Sequence, residues 1–439
     1  METASVNDQV VLRNASTAQL EQAVAENHRQ LFCCSATALG GVVHVTDGLT
    51  YTYSVGNGSS VLFPAMVPDK AGVQLDAMMD FYRTQEVAHI GYWSLDPAEP
   101  ADVGARLLAR GFQPGWKPRW MALDVADVKT NFTTLPALEI RVSNDIPVHE
   151  VKGLPYGNND GVYSDALLRM YPDKAQRFVA FLGGVIVGQT ALFFSAGHMG
   201  IAGMYNVGVI PSMRRKGIGK ALVIAACRYA QERGYQYVML NASDIGVRTY
   251  EEVGFKTVGY GLTWWITGKR YITHPSSQQM VALAEAIGSG DMEVLKQTGT
   301  SLTPDELDTP LVNGMTLIQL AAHCGQPAAA EWLMAHGATC SALVMWDLGW
   351  KDRAAALLAS NPQEVNRTYF DWEGNLLHIA AQRGDIELAK LALHVGVDIT
   401  MKDKEHSSVP LGWAYYFNRG EIIRLINEHE DNNNKATGQ

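Results

Sequence analysis

Val207-Gly208-Val209-Ile210-Pro211-Ser212-Met213-Arg214-Arg215-Lys216-Gly217-Ile218-Gly219-Lys220-Ala221-Leu222 is the stretch on which the fold turns. A short apolar β-type run ends at Pro211, and a basic, glycine-punctuated turn follows. Lys220 to Arg233 then has helical spacing, with Ala221, Leu222, Ala225, Cys227 and Tyr229 among its apolar residues. A strand, a tight turn and a helix N-terminus together make an anion site. The first-turn N–H groups have no partner inside the helix, and the helix dipole adds positive potential there. Gly217 and Gly219 let a phosphate approach the backbone, and Arg214, Arg215, Lys216 and Lys220 add charge around it.

The flanking residues narrow the choice of anion. A dinucleotide fingerprint needs a third small residue where Leu222 stands, and a P-loop needs Ser or Thr where Ala221 stands. What remains is Arg-x-x-Gly-x-Gly at Arg214, Gly217 and Gly219, short enough to serve another phosphate cofactor or to be a plain strand–helix corner. The continuation adds a strand over Tyr237 to Ser243, then a short helix over Val247 to Val253 closed by Gly254-Phe255. This order resembles the core of the GNAT family of acetyl-CoA-dependent N-acetyltransferases over about residues 140–272.

The resemblance carries a set of expectations. The co-substrate is acetyl-CoA, with no metal. Its pyrophosphate rests on Arg214, Arg215, Lys216, Gly217, Ile218, Gly219 and Lys220. Its pantetheine and acetyl carbonyl lie along Val207, Gly208 and Val209 of a strand that bulges and splays from its neighbour. Tyr250, in Tyr250-x-x-x-Gly254-Phe255, occupies the family's general-acid position; its other reading is a buried aromatic on the inner face of its helix. Asn241 matches a position that bonds the pantetheine arm; its other reading is a strand-end cap. The family's glutamate base has no counterpart, because Ala202-Gly203-Met204-Tyr205-Asn206 holds no carboxylate. Deprotonation then falls to water held by Tyr205 or Asn206, to Asp160 or His198 from loops, or to no base for an amine of low pKa. The loop Tyr156 to Tyr163 is where acceptor contacts are expected.

The first 125 residues read as a second α/β half. Leu107-Leu108-Ala109-Arg110-Gly111-Phe112 superposes on Tyr250-Glu251-Glu252-Val253-Gly254-Phe255, each after a strand and before another. Leu107 stands where Tyr250 stands. Pro68-Asp69-Lys70-Ala71-Gly72 stands where the basic turn is expected. Residues 1–125 are therefore read as a degenerate GNAT-like half that walls the acceptor cleft, and 126–275 as the catalytic domain. Cys33-Cys34 reads as a pair of buried thiols.

Beyond Pro275 the sequence repeats. Gly290, Gly325, Gly349, Gly384 and Gly420 recur near the 33-residue period of a helix–turn–helix unit. Gly374-Asn375-Leu376-Leu377-His378-Ile379-Ala380-Ala381 resembles the Thr-Pro-Leu-His-x-Ala signature of ankyrin repeats. Residues 276–430 are read as five ankyrin units, the third shortened and the outer two acting as caps. His323, Cys324, His336 and Cys340 imitate zinc spacing but fall at ordinary repeat positions. Trp346, Trp350, Trp372, Tyr369 and Phe370 either line a binding face or fill the short repeat. Residues 431–439 read as a disordered tail.

Composition agrees with a packed globular chain. Of 439 residues, 47% are hydrophobic and 18% charged. A net charge of −10 argues against nucleic-acid affinity and favours a cationic acceptor. No apolar run approaches the ~20 residues that span a bilayer. Met1-Glu2-Thr3-Ala4 opens no secretory signal, and five scattered cysteines suggest a reducing, cytoplasmic setting. The expected fold class is α/β, tandem GNAT folds with mixed central sheets, plus an all-α ankyrin solenoid. The expected function is acetyl transfer to a primary amine of a small molecule, by direct attack in a ternary complex, for detoxification of an antibiotic or toxin or for self-resistance. The competing readings are a protein acetyltransferase docked through its repeats and a non-catalytic acetyl-CoA-sensing adaptor. Self-association through the repeats is a further possibility.

Overall fold

The structure is a computed structural model that describes residues 10–55, 59–133, 135–158 and 161–437, with side chains to 433. Two compact units divide the chain: residues 1–281 with 311–314, and residues 282–310 with 315–439.

The first unit opens with helix α1 (Thr17–Ala38), whose N-terminus carries a reciprocal Ser16–Gln19 capping box. There follow β1 (Val42–Thr46), β2 (Leu49–Tyr53), β3 (Ser59–Leu62), α2 (Pro68–Arg83), β4 (His89–Asp96), α3 (Val103–Ala109), β5 (Gln113–Pro114) and β6 (Arg119–Asp124). The second half repeats the plan. It runs β7 (Leu138–Val142), α4 (Asp165–Met170), β8 (Ala175–Leu182), β9 (Val185–Phe194), β10 (Ala202–Val209), α5 (Ile218–Glu232), β11 (Tyr237–Ala242), α6 (Asp244–Val253), β12 (Lys256–Thr267) and α7 (Lys269–Thr273).

Among the described residues these strands build one twelve-stranded sheet, ordered β1-β2-β3-β4-β12-β6-β11-β10-β9-β8-β7, with β5 beside β12. The order is nearly palindromic. On one side β3 runs parallel to β4, and β4 antiparallel to β12. On the other, β10 runs parallel to β11, and β11 antiparallel to β6. Each half thus lends its last strand to the other, and β6 and β12 pair at the centre. Residues 1–125 and 126–275 share one continuous mixed sheet, in which the first half completes the sheet of the second. The periodicity that located β6 and β12 carries no information about which ladder they join.

The duplication is visible in detail. Gly111 and Gly254 both adopt left-handed φ, 95° and 119°. Phe112 N donates to the Leu107 carbonyl at 3.1 Å, as Phe255 N does to that of Tyr250 at 3.0 Å. The halves part company at their first long helices. α2 starts with Pro68 and Asp69, losing one N–H and placing a carboxylate where an anion would sit. α5 starts from Gly217 with no acid in its first turn. Its buried face (Leu222, Val223, Ala226, Cys227 and Ala230) packs onto β9, β10 and β11 through Leu192, Met204, Val238 and Leu240. The opposite face of the sheet is covered by α1 through Ala23, Val24 and Ala25.

The second unit holds helix pairs joined by tight turns: Gln278–Ser289 with Met292–Gly299, Leu317–His323 with Pro327–Ala335, Ala342–Asp347 with Lys351–Ser360, Leu376–Arg383 with Ile386–His394, and Pro410–Tyr416 with Gly420–Thr437. Gly290, Gly325, Gly349 and Gly384 occupy the turns with left-handed φ of 63–78°, the conformation that makes glycine recur. Asn375 caps its helix and donates to the Asp398 carbonyl at 2.9 Å, while His378 Nε2 lies 3.0 Å from the Ser408 carbonyl. These bonds tie consecutive repeats. His336 stacks on Trp332 with centroids 4.0 Å apart. Trp346 and Tyr369 are buried, and Trp372 stacks on Trp413 at 4.6 Å, so most of that aromatic group fills the repeat interior. The last helix runs to Thr437, through most of the segment expected to be a disordered tail.

Candidate active site

The site is built where β10 leaves its neighbours. Its pairing with β11 runs Ala202↔Val238, Gly203↔Met239 and Met204↔Leu240 and then stops, although both strands continue. Its pairing with β9 jumps from Tyr205↔Ala191 to Gly208↔Gln189. Asn206, inside the jump, has φ of 55°, which relieves the ladder by a bulge. Asn206 and Val207 therefore lie outside the register with β9, at a point where β10 no longer pairs with β11. β10 parts from β11 beyond Met204 and bulges between Tyr205 and Gly208, overlapping the start of the expected Val207 to Val209, while Gly208 and Val209 are again in register with β9.

β10 leads into a one-turn helix, Pro211–Met213, and then into the basic turn. Arg215 and Gly217 have φ of 60° and 80°. The reversed backbone leaves the α5 N-terminus without a side-chain cap. The first-turn N–H groups, with no acidic residue within that turn, are available to donate to phosphate oxygens. A Cβ at Gly219 would find Val209 at 3.9 Å as its nearest neighbour, so this glycine keeps the helix mouth open rather than relieving a clash. Arg214 Nε donates to the Val209 carbonyl at 3.2 Å, tying turn to strand. Lys220 is turned to α6 and pairs with Glu252, which also accepts from Arg248 at 3.1 Å. Arg214, Arg215 and Lys216 make no ion pair among the described residues and are left as the positive charges of the turn.

Tyr250 lies on the inner face of α6, 9% exposed, with its ring edge-on to Phe255. Its hydroxyl has no hydrogen-bond partner among the described residues. Burial, with a smaller contribution from Tyr156, pushes its pKa up to about 12. The phenol is thus protonated at neutral pH. The loop after Glu150 reaches the same region. Gln189 Nε2 donates to the Pro155 carbonyl at 2.9 Å, and a Cβ at Gly208 would lie 2.8 Å from that oxygen. Pro155 and Tyr156 thereby connect β10 at the bulge with Tyr250. Asn241 sits near the end of β11, half-buried, opposite Trp120.

The expected base candidates fare differently. Tyr205 donates from its hydroxyl to Asn27 Oδ1 at 2.7 Å, and burial raises its pKa far above neutral, so it is committed to α1 rather than to a catalytic water. His198 is exposed in the turn before β10, at the other end of the strand from the bulge. Asp160 lies outside the described residues. Asn206 is at the bulge itself. Sequence reading missed Asn27, Pro155 and Thr190, whose Oγ1 donates to the Tyr205 carbonyl at 2.9 Å. No motif marks them, since their partners lie up to 178 residues away.

Comparison with known proteins agrees with this geometry. Residues 147–255 match the model of the Acetyltransferase (GNAT) family, and residues 375–404 that of the ankyrin repeat. A glucosamine 6-phosphate N-acetyltransferase of Trypanosoma brucei brucei is 34% identical over 77 residues, 17% of this chain and 52% of that protein. A mycothiol acetyltransferase of Renibacterium salmoninarum is 38% identical over 63 residues, 14% of this chain and 19% of that protein. The chain therefore spans about half or less of the length of these relatives. A solved GCN5-related N-acetyltransferase from Kribbella flavida aligns with 55% of this chain and 95% of its own at 14% identity and a TM-score of 0.43. Residues 147–255 of this chain are thus an acetyltransferase domain of the GNAT family, joined in one polypeptide to an ankyrin repeat at 375–404.

Proposed function

We propose that the protein transfers acetyl from acetyl-CoA to the primary amine of a small molecule, by direct attack in a ternary complex. The observation that carries this reading is the continuity of the bulged β10, the splay, the uncapped α5 N-terminus and the unpartnered phenol of Tyr250. Pyrophosphate oxygens accept from the N–H groups of the Gly217–Lys220 turn, with Arg214, Arg215 and Lys216 around them. The pantetheine follows Val207 to Val209, with Asn241 on the far side of the gap. The amine lone pair attacks the acetyl carbonyl carbon, and the oxyanion rests on a bulge N–H fixed in advance. The carbon–sulfur bond then breaks, and Tyr250 gives its proton to the departing thiolate. The amine loses its proton to water at the bulge; no carboxylate stands on β10 there.

A small acceptor is favoured because one matched relative is named for glucosamine 6-phosphate, itself a small amine. The acidic chain attracts cationic amines. Inactivation of an amine antibiotic or toxin is the physiological role we favour. The second reading is acetylation of a protein docked on the repeats, for which the exposed aromatics Phe370, Tyr415 and Tyr416 are the supporting feature. Among the described residues no helix is long and apolar enough to cross a membrane, and none forms a cluster suited to a metal ion. The test is thiol release from acetyl-CoA against a panel of aminoglycosides, amino sugars, polyamines and lysine peptides. Turnover on a small amine supports the first reading and turnover confined to peptides the second. Absence of both, with acetyl-CoA still raising the melting temperature, leaves a sensor.

A further inference from the structure

We infer that Asn27, supplied by the half that lacks the anion turn, is a positioning residue for the acetyl-transfer site. Its side chain is wholly buried between α1 and the sheet. Nδ2 lies within hydrogen-bond distance of the Phe193 carbonyl (3.0 Å), Ser195 Oγ (3.0 Å) and the Ile201 carbonyl (2.8 Å), so it grips the end of β9 and the approach to β10. Oδ1 accepts from Tyr205 at 2.7 Å. A Cβ at Gly203 would fall 2.1 Å from Oδ1, so this strand position must be glycine for the amide to come so close.

Tyr205 is the last residue of β10 in register before the bulge. It is held twice: its hydroxyl by Asn27, its carbonyl by Thr190. The next residue, Asn206, turns into left-handed φ and begins the bulge, where β10 no longer pairs with β11. Asn206 and Val207 stand outside the register with both neighbouring strands, so their position follows what anchors Tyr205. Ser195 shares the network at the far end: its Oγ accepts from Asn27 Nδ2 and bonds Ile201 N and O at 3.0 Å, and its removal leaves Asn27 on the Phe193 and Ile201 carbonyls and on Tyr205. It therefore serves as an internal control that touches Asn27 but not Tyr205.

The inference rests on the proposed acetyl transfer for its kinetic arm only. In the full chain, Tyr205→Phe and Ser195→Ala both lower the melting temperature, since each removes hydrogen bonding from the network around Asn27. Only Tyr205→Phe lowers kcat, by about 10- to 100-fold, with KM for acetyl-CoA nearly unchanged, as a misplaced donor requires. Asn27→Ala lowers kcat at least as far, and the Asn27→Ala, Tyr205→Phe double variant falls no further than Asn27→Ala alone. Kinetics are read with acetyl-CoA and the amine the wild type turns over best in the panel above. In parallel, the Asn206 13Cα shift, which reports its φ, moves in Tyr205→Phe and stays in Ser195→Ala. Equal kcat losses in the two single variants, or an unmoved Asn206 resonance in Tyr205→Phe, overturn the inference. A wild type without turnover sinks the proposed function, while the resonance still decides the role of Asn27.

Discussion

Trp120 of the first half stands directly opposite Asn241 of the second in the antiparallel ladder between β6 and β11. The indole is fully buried, while the amide borders the gap that would admit the pantetheine arm. The half without an anion turn therefore supplies the strand that backs the site, and it cannot be removed as an appendage. A fragment of residues 126–439 loses β6 and exposes the long edges of β11 and β12. It is expected to be insoluble, or to lose the cooperative unfolding of the first unit. Trp120→Ala in the full chain should cost roughly 3–5 kcal/mol, read by denaturant unfolding.

Tyr250→Phe separates binding from chemistry. The ring stays packed against Phe255, so acetyl-CoA affinity by calorimetry should change less than about twofold. Turnover should fall about 100-fold, the usual worth of a positioned proton donor. With the phenol pKa at about 12, no alkaline loss of kcat from this group is expected up to about pH 10. Unchanged turnover in Tyr250→Phe would remove it from the mechanism.

The turn variants should rank by where their side chains point. Arg214→Ala is expected to weaken acetyl-CoA binding by about 10-fold, and more weakly at high salt, since exposed charge is screened. Lys220→Met should change it less, because Lys220 is already paired with Glu252. Gly217→Ala places a Cβ at φ of 80° and should cost about 1 kcal/mol of stability besides weakening the cofactor. Calorimetric titrations that place Lys220→Met below Arg214→Ala in affinity would reverse this assignment.

His28 predicts an acid sensitivity. Its ring packs against Phe32, Trp93, Phe63, Trp120 and Tyr205, and both nitrogens are buried without a partner. Burial lowers its pKa to about 3. The unfolded chain takes up a proton near pH 6.5 that the folded chain refuses. Stability is thus whole above pH 6.5 and falls as pH drops towards 3, by at most about 1.4 kcal/mol per unit from this group. Of its ring neighbours only Tyr205 titrates, and it remains neutral throughout this range. In unfolding experiments between pH 7 and 4, His28→Phe should flatten the profile, and a slope equal to wild type would exclude His28 as its source.

Local pattern sufficed for much of this protein. The β10–turn–α5 stretch, the Gly254-Phe255 closure, its echo at Gly111-Phe112 and the glycine-spaced repeats were legible because each is dictated by neighbours within a few residues. A left-handed turn needs glycine, a helix mouth needs bare N–H groups, and an amphipathic helix needs its period. That β10 would bulge followed from the same stretch through its resemblance to a family, and the tertiary structure put the shift between Tyr205 and Gly208. Tertiary structure alone decided the rest. β6 and β12 trade places because a strand's sequence specifies its two faces, not the ladder that receives it. Lys220 turns to Glu252, and Tyr205 to Asn27, because a long side chain takes the partner that the fold brings within reach. Asn27 matters only once α1 lies across Gly203, a meeting of residues 176 apart in sequence that no local pattern encodes.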